Sequence, residues 1–226
     1  TGVQTCALPI YIPDECELRD GRLTDANANG IPDACEGAYV AEATVNATVQ
    51  PSPFGVRNAT NGTAFFNVEG SALGTFASYG GLRFDMTAIK TKFDRDFGPG
   101  AWTVSKAYLF MMQSNAAFTV DGDCEIVWTN NDAQNFADNA NPEVTFYDNY
   151  ATDYTDKVQV ATYTFTRGAD SPSNPGGNGT IEKYLIADSA GGNNGMTSVM
   201  GELNSGSGQM TLLLHEISSG VTATYA

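Results

Sequence analysis

The sequence predicts an all-β protein, an antiparallel jelly-roll-like β-sandwich with one short helix. Three observations carry this. From residue 38 to 226 the apolar residues recur at every second position, turn clusters break the runs at short intervals, and no helical periods alternate with the strands. AYVAEATVNATV opens the series by alternating small or branched residues with polar ones, and KVQVATYTFT repeats the pattern over 157–166. TAFFNV, YGGLRFDM, WTVSKAYLFMM, CEIVW, TIEKYLIA, QMTLLLHEI and VTATYA read as further strands, with PSPFG, FGPG, VDGD, SPSNPGGNG and SAGGNNG as the turns between them. The helix is expected at MTSVMGELNSG, where Met196, Val199, Met200 and Leu203 fall on one face and Asn204 or Gly206 can end it. That stripe is read as packing against the end of the sandwich.

Composition sets the outer bounds. A chain of 226 residues that is 42% hydrophobic can bury one sizeable core, and it holds no apolar run long enough to span a membrane. With 11 Lys and Arg against 26 Asp and Glu, the net charge of -15 repels phosphate, which argues against nucleic acid and anionic membranes as partners. Metal cations are its natural counter-ions.

The N-terminal part has a different character. DANANGIPDACE, residues 25–36, places oxygen ligands at positions one, three, five, seven, nine and twelve of a twelve-residue loop, with glycine at six. These are Asp25, Asn27, Asn29, the backbone carbonyl of Ile31, Asp33 and Glu36, turned at Gly30. An all-oxygen set without histidine selects calcium over zinc or copper. IPDECE at 12–17 recurs as IPDACE at 31–36, so Cys16 and Cys35 hold equivalent places in two tandem units. Set against the thrombospondin type 3 repeat that the segment resembles, the first loop is truncated, which implies at most weak binding of a second ion by Asp14, Glu17 and Asp20. The leading TGVQTCALPI coincides with the translation of a common sequencing adapter. Residues 1–10 are therefore expected to be non-native, with Cys6 discounted, residues 11–37 to be a calcium-binding arm, and 38–226 to be the sandwich.

The repeated DxNxNGIPDxCE resembles the thrombospondin type 3 calcium repeat of secreted bacterial surface proteins over residues 12–36, and is similar to one half of a dockerin. In such repeats calcium and disulfides substitute for a hydrophobic core. Cys16 and Cys35, at matched repeat positions, read as a disulfide in an oxidising compartment, which leaves Cys124 as a buried thiol in CEIVW. GGLRFDM, a variable loop and then VSKAYLFMM resemble the DNRLRE-type sandwich modules of bacterial extracellular and cell-wall proteins. That resemblance implies scaffolding, adhesion or carbohydrate binding. VTATYA at the end leaves a closing strand still to be expected.

Signs of catalysis are sparse. His215, the one histidine, lies in an alternating strand and is expected at a sheet surface, and no serine or cysteine stands in a nucleophile context such as GxSxG. Trp102, Trp128, Tyr147, Tyr150 and Tyr154 could form a sugar-stacking platform, but aromatics alternate into sandwich cores by default. Asn46, Asn58, Asn61 and Asn178 each begin a glycosylation sequon. The expectation is a secreted, non-enzymatic structural protein of the extracellular space or cell surface, self-associating into a calcium-stabilised layer, sheath or fibre through its arm. The alternative is a carbohydrate-binding or adhesive module of a larger secreted protein.

Overall fold

The structure, a computed structural model, describes residues 39–57, 66–113, 118–132, 136, 147–167, 181–191, 195–204 and 208–225. The calcium loop, Cys16, Cys35, Asn58, Asn61 and Asn178 lie outside the described residues. Contacts divide the chain into a large unit, Ala41–Lys90 with Thr103–Ala226, and a small one, Thr1–Val40 with Thr91–Trp102.

The large unit is mostly β, and every strand pairing in it is antiparallel. Ten strands are described: β1 Ala43–Val49, β2 Val56–Arg57, β3 Phe66–Glu69, β4 Tyr79–Asp85, β5 Lys106–Met112, β6 Gly122–Thr129, β7 Val158–Phe165, β8 Ile181–Asp188, β9 Gln209–Glu216 and β10 Thr222–Tyr225. Six form one sheet in the order β2-β1-β4-β9-β6-β7, while β10 pairs with β3 and β5 with β8. Single bridges, Gln113 to Tyr225 and Val120 to Thr222, tie the segments flanking the β5–β6 connection to β10.

Both faces of the six-stranded sheet are covered at its centre, and a glycine pair in β4 shows how closely. A β-carbon on Gly80 would stand 2.7 Å from the ring of Phe66, while one on Gly81 would stand 2.7 Å from Phe136 on the opposite face. Successive strand residues point to opposite faces, so this pair admits an aromatic ring from each side. On the Gly81 face, Ala47, Val49, Tyr79, Val127 and Leu213 pack with Phe136, Tyr150 and Tyr154. On the Gly80 face lie β3 and β10, and the rings of Phe66, Phe165 and Tyr225 meet there, as does Tyr163, whose ring packs against Tyr184 of β8 at 4.2 Å, tilted by 39°. Burial of this many large side chains, each worth about 1.5–3 kcal/mol, makes the interior the main source of stability.

The alternation of β7 changes parity partway. Val160 is buried, yet so are Tyr163 and Phe165, because the register against β6 slips between Ile126 and Val127. The extra residue is a β-bulge, which lets both halves of the strand face inward. VDGD, expected as a turn, instead leads into β6, with Gly122 opposite Phe165. WTVS is not strand, and β5 begins at Lys106.

The sequence predicts one short helix; among the described residues there are three α-helices, α1 Met86–Phe97, α2 Tyr150–Asp153 and α3 Gly195–Asn204, and two 3-10 turns, Ser71–Phe76 and Tyr147–Asn149. The segment after LRFD is thus a helix of twelve residues rather than a loop. Its cause is local. Asp85 Oδ1 accepts the Thr87 amide at 2.8 Å as an N-cap, and Gly98, with φ of 93°, stops the last turn. In the expected helix, now α3, the buried residues are Gly195, Ser198, Val199, Glu202 and Leu203, so Met196 and Met200 sit at the border of the stripe.

Within the small unit, Tyr39 packs edge-on against Phe93 with ring centroids 4.6 Å apart, and Phe93 meets Trp102 at 5.0 Å. The Tyr39 hydroxyl donates to Asp96 at 2.6 Å and Trp102 Nε1 to Asp94 at 2.7 Å. The Arg95 guanidinium, followed by the Tyr39 hydroxyl, holds the Asp96 carboxyl down at about 2.

Candidate functional site

The β5–β8 ribbon presents one face inward and one outward, and the outward face is apolar. Along β5, Leu109 and Met111 are buried while Tyr108, Phe110 and Met112 are exposed, Phe110 to 58%. The register sets Tyr108 opposite Leu185, Phe110 opposite Lys183 and Met112 opposite Ile181, so three exposed β8 side chains complete the same face. Ile181 is 68% exposed. Strand alternation normally turns polar residues to water, and a contiguous exposed apolar patch is the kind of surface that contacts use.

Lys183 is the charged centre of this face. Its ammonium lies 3.9 Å from the Tyr108 ring centroid and 5.6 Å from that of Phe110, a cation–π arrangement. The two rings are 6.4 Å apart and inclined at 51°. They offer no flat platform, and the lysine already occupies the Tyr108 face. Alternation alone does not single out these residues, because KAYLFMM is apolar at both parities. The lone Lys183 in TIEKYLIA is the signal that one side meets water.

The residues singled out from the sequence fall elsewhere. Tyr150 is 5% exposed, and Tyr154 is fully buried with its hydroxyl 3.1 Å from that of Tyr79; both belong to the core, so they do not form a sugar platform. Tyr147 is half-buried and donates to Glu216 Oε1 at 2.6 Å, Trp128 is half-buried in β6, and Trp102 belongs to the small unit. Asn46 is half-buried in β1 opposite Leu82, and Thr48 of its sequon is buried with its hydroxyl accepting the Asn67 amide at 2.9 Å. Cys124 is fully buried, and burial pushes its thiol up to about 12, well away from a reactive thiolate.

His215 corrects an expectation. It does not lie on an open sheet surface: the segment at 147–154 folds over it, and Tyr150 stacks on its ring at 4.0 Å and 8°. Nδ1 is 2.9 Å from the Glu216 carbonyl and 3.7 Å from Glu125 Oε1, and the side chain is 19% exposed. Burial lowers its pKa from the usual histidine value, outweighing Glu125 and Glu216, while Lys157 adds to the lowering. A depressed folded-state pKa means that its contribution to stability is complete above the unfolded value of about 6.5 and is lost as pH falls from there through the folded value. Thermal melts between these limits are expected to slope downward with acidification, and His215→Gln is expected to flatten that slope. An unchanged slope in the variant would assign the effect to the carboxylates instead.

Among the described residues, no group of three or more His, Cys, Asp or Glu converges as a metal site, and no helix is long and apolar enough to cross a membrane. Five of the exposed large apolar side chains of the described surface gather on β5 and β8: Tyr108, Phe110, Met112, Ile181 and Leu185. No protein-family model matches this chain, and no curated protein matches it either, so its own residues carry the functional reading.

Proposed function

We propose that this chain is a non-enzymatic structural protein of the extracellular space or cell surface, a jelly-roll-like sandwich that self-associates and carries a calcium-stiffened arm. The outward β5–β8 face supports this reading best. Exposed aromatic and aliphatic side chains of that extent are costly in water and gain by being covered. In the arm, calcium would be held by Asp25, Asn27, Asn29, the Ile31 carbonyl, Asp33 and Glu36, with Cys16 and Cys35 closing the repeat. The ion would also offset part of a net charge of -15 that otherwise keeps subunits apart.

The test combines calorimetry, light scattering and negative-stain imaging of the full chain. Calcium uptake by EDTA-treated protein is expected, with Asp25→Ala abolishing it and elongated particles forming only when calcium is present. Uptake that survives Asp25→Ala removes the calcium assignment. Monodisperse monomers in calcium that bind a polysaccharide would transfer the reading to the carbohydrate-binding or adhesive module.

A further inference from the structure

Tyr108, Phe110, Met112, Ile181 and Leu185 need a cover, and charge indicates which one. Lys183 sits at the centre of their face, and Lys106 lies on the same side of β5, opposite Asp188. Two of the 11 basic side chains of a chain with net charge -15 thus share a single apolar face. An acidic surface with apolar groups is its complement. A sugar ring is not, because Lys183 already caps Tyr108 and the two aromatic rings are steeply inclined.

The chain itself carries such a complement, on different elements. Where the turn between β9 and β10 meets the approach to β6, the amides of Ile217 and Ser218 both donate to the Asp123 carbonyl, at 2.8 and 2.9 Å, and Ser218 Oγ accepts the Asp123 amide at 3.0 Å. Val120 is held beside this turn by paired backbone bonds to Thr222. Ile217 and Val120 are both more than half exposed, and the carboxylates of Asp121 and Asp123 are exposed with them. Asp121 is fixed by the Arg167 amide at 2.8 Å, and Asp123 by the Thr164 hydroxyl at 2.6 Å. This end therefore gathers exposed apolar and acidic residues on backbone held by hydrogen bonds.

We infer that the β5–β8 face of one copy docks onto the Val120–Asp123 and Ile217 end of a second copy, head to tail, with Lys183 and Lys106 meeting Asp121 and Asp123. This rests on the self-association reading above and specifies its contact. Two different surfaces of identical subunits make a heterologous interface, which propagates as a filament when it does not close into a ring. An isologous packing of two β5–β8 faces would set Lys183 near its own copy.

Complementation between two variants of the full chain tests this. Phe110→Ser impairs the face, and Asp123→Asn with Ile217→Lys impairs the end; all three sites are exposed, and unchanged circular dichroism and melting temperature check folding. Each variant alone is expected to stay monomeric at concentrations where the wild type elongates, with apparent association weakened at least tenfold. Mixed in equal amounts, they retain one intact face and one intact end between them and are expected to stop at the heterodimer in light scattering. High salt is expected to weaken that heterodimer. If the wild type elongates and the end variant elongates equally well, or if the mixture stays monomeric, the head-to-tail contact is overturned while self-association stands. If the wild type remains monomeric in calcium, self-association falls and this contact falls with it.

Discussion

Replacing Gly195 by alanine is expected to lower the melting temperature by about 10 °C, from a loss of about 3 kcal/mol at 2–4 °C per kcal/mol for a chain of this size. A β-carbon at Gly195 would overlap the carbonyl oxygen of Ile186 in β8 and stand 3.2 Å from Cβ of Val160 in β7. The first obstacle is backbone, so no side-chain rotation relieves it, and the start of α3 has to lift off the two strands that it covers. Gly201, six positions along the same helix, provides the control. Nothing approaches its β-carbon position and its residue is exposed. Alanine there removes only the helix penalty of glycine and gains about 0.5–1 kcal/mol, raising the melting temperature by about 2 °C. Differential scanning calorimetry of the two variants checks both signs. Equal and small effects would mean that α3 does not sit against β8 as described.

The second large effect is Leu213→Ala. Leu213 lies in β9 at the middle of the six-stranded sheet, opposite Gly81 and Val127, fully buried among Ala47, Tyr79, Phe136 and Tyr154. Truncation is expected to cost about 2–5 kcal/mol, because the rigid neighbouring rings collapse poorly into the space left behind. Phe110→Ala removes more atoms but from the outward face, and is expected to change stability by less than about 0.5 kcal/mol while weakening self-association. Urea titration separates the two. A Phe110 variant as unstable as the Leu213 variant would mean that the β5–β8 face is covered from within the same chain.

Much of the strand content was legible because alternation follows from strand geometry alone. Where the reading went astray, local rules had competing signals. The helix α1 announces itself by Asp85 as cap, Met86, Ile89, Phe93 and Phe97 on one side, and Gly98 as stop, yet it follows a strong strand and precedes another, which invites reading a loop. The slip in β7 could not be foreseen, since a bulge is a property of two paired strands and period two in one strand carries no trace of it. Strand order was equally hidden: alternation distinguishes inside from outside but does not name neighbours. The outward β5–β8 face is hard to foresee because KAYLFMM is apolar at both parities, and Lys183 marks the wet side only once β8 is known to pair with β5. His215 looked like a surface strand residue because the segment that covers it, around Tyr147 and Tyr150, is distant in sequence.

The pairing of β4 with β9 also governs when the protein can exist as a folded object. Gly80 meets Leu214, and β9 in turn lies between β4 and β6, so β2-β1-β4 and β6-β7 are joined into one sheet only by a strand more than 120 residues after β4. Closing so long a loop is entropically slow, and contacts of this separation delay folding relative to local ones. β9 is thus the keystone of the sheet: a nascent chain that has not yet made it holds β4 and β6 without the strand that joins them.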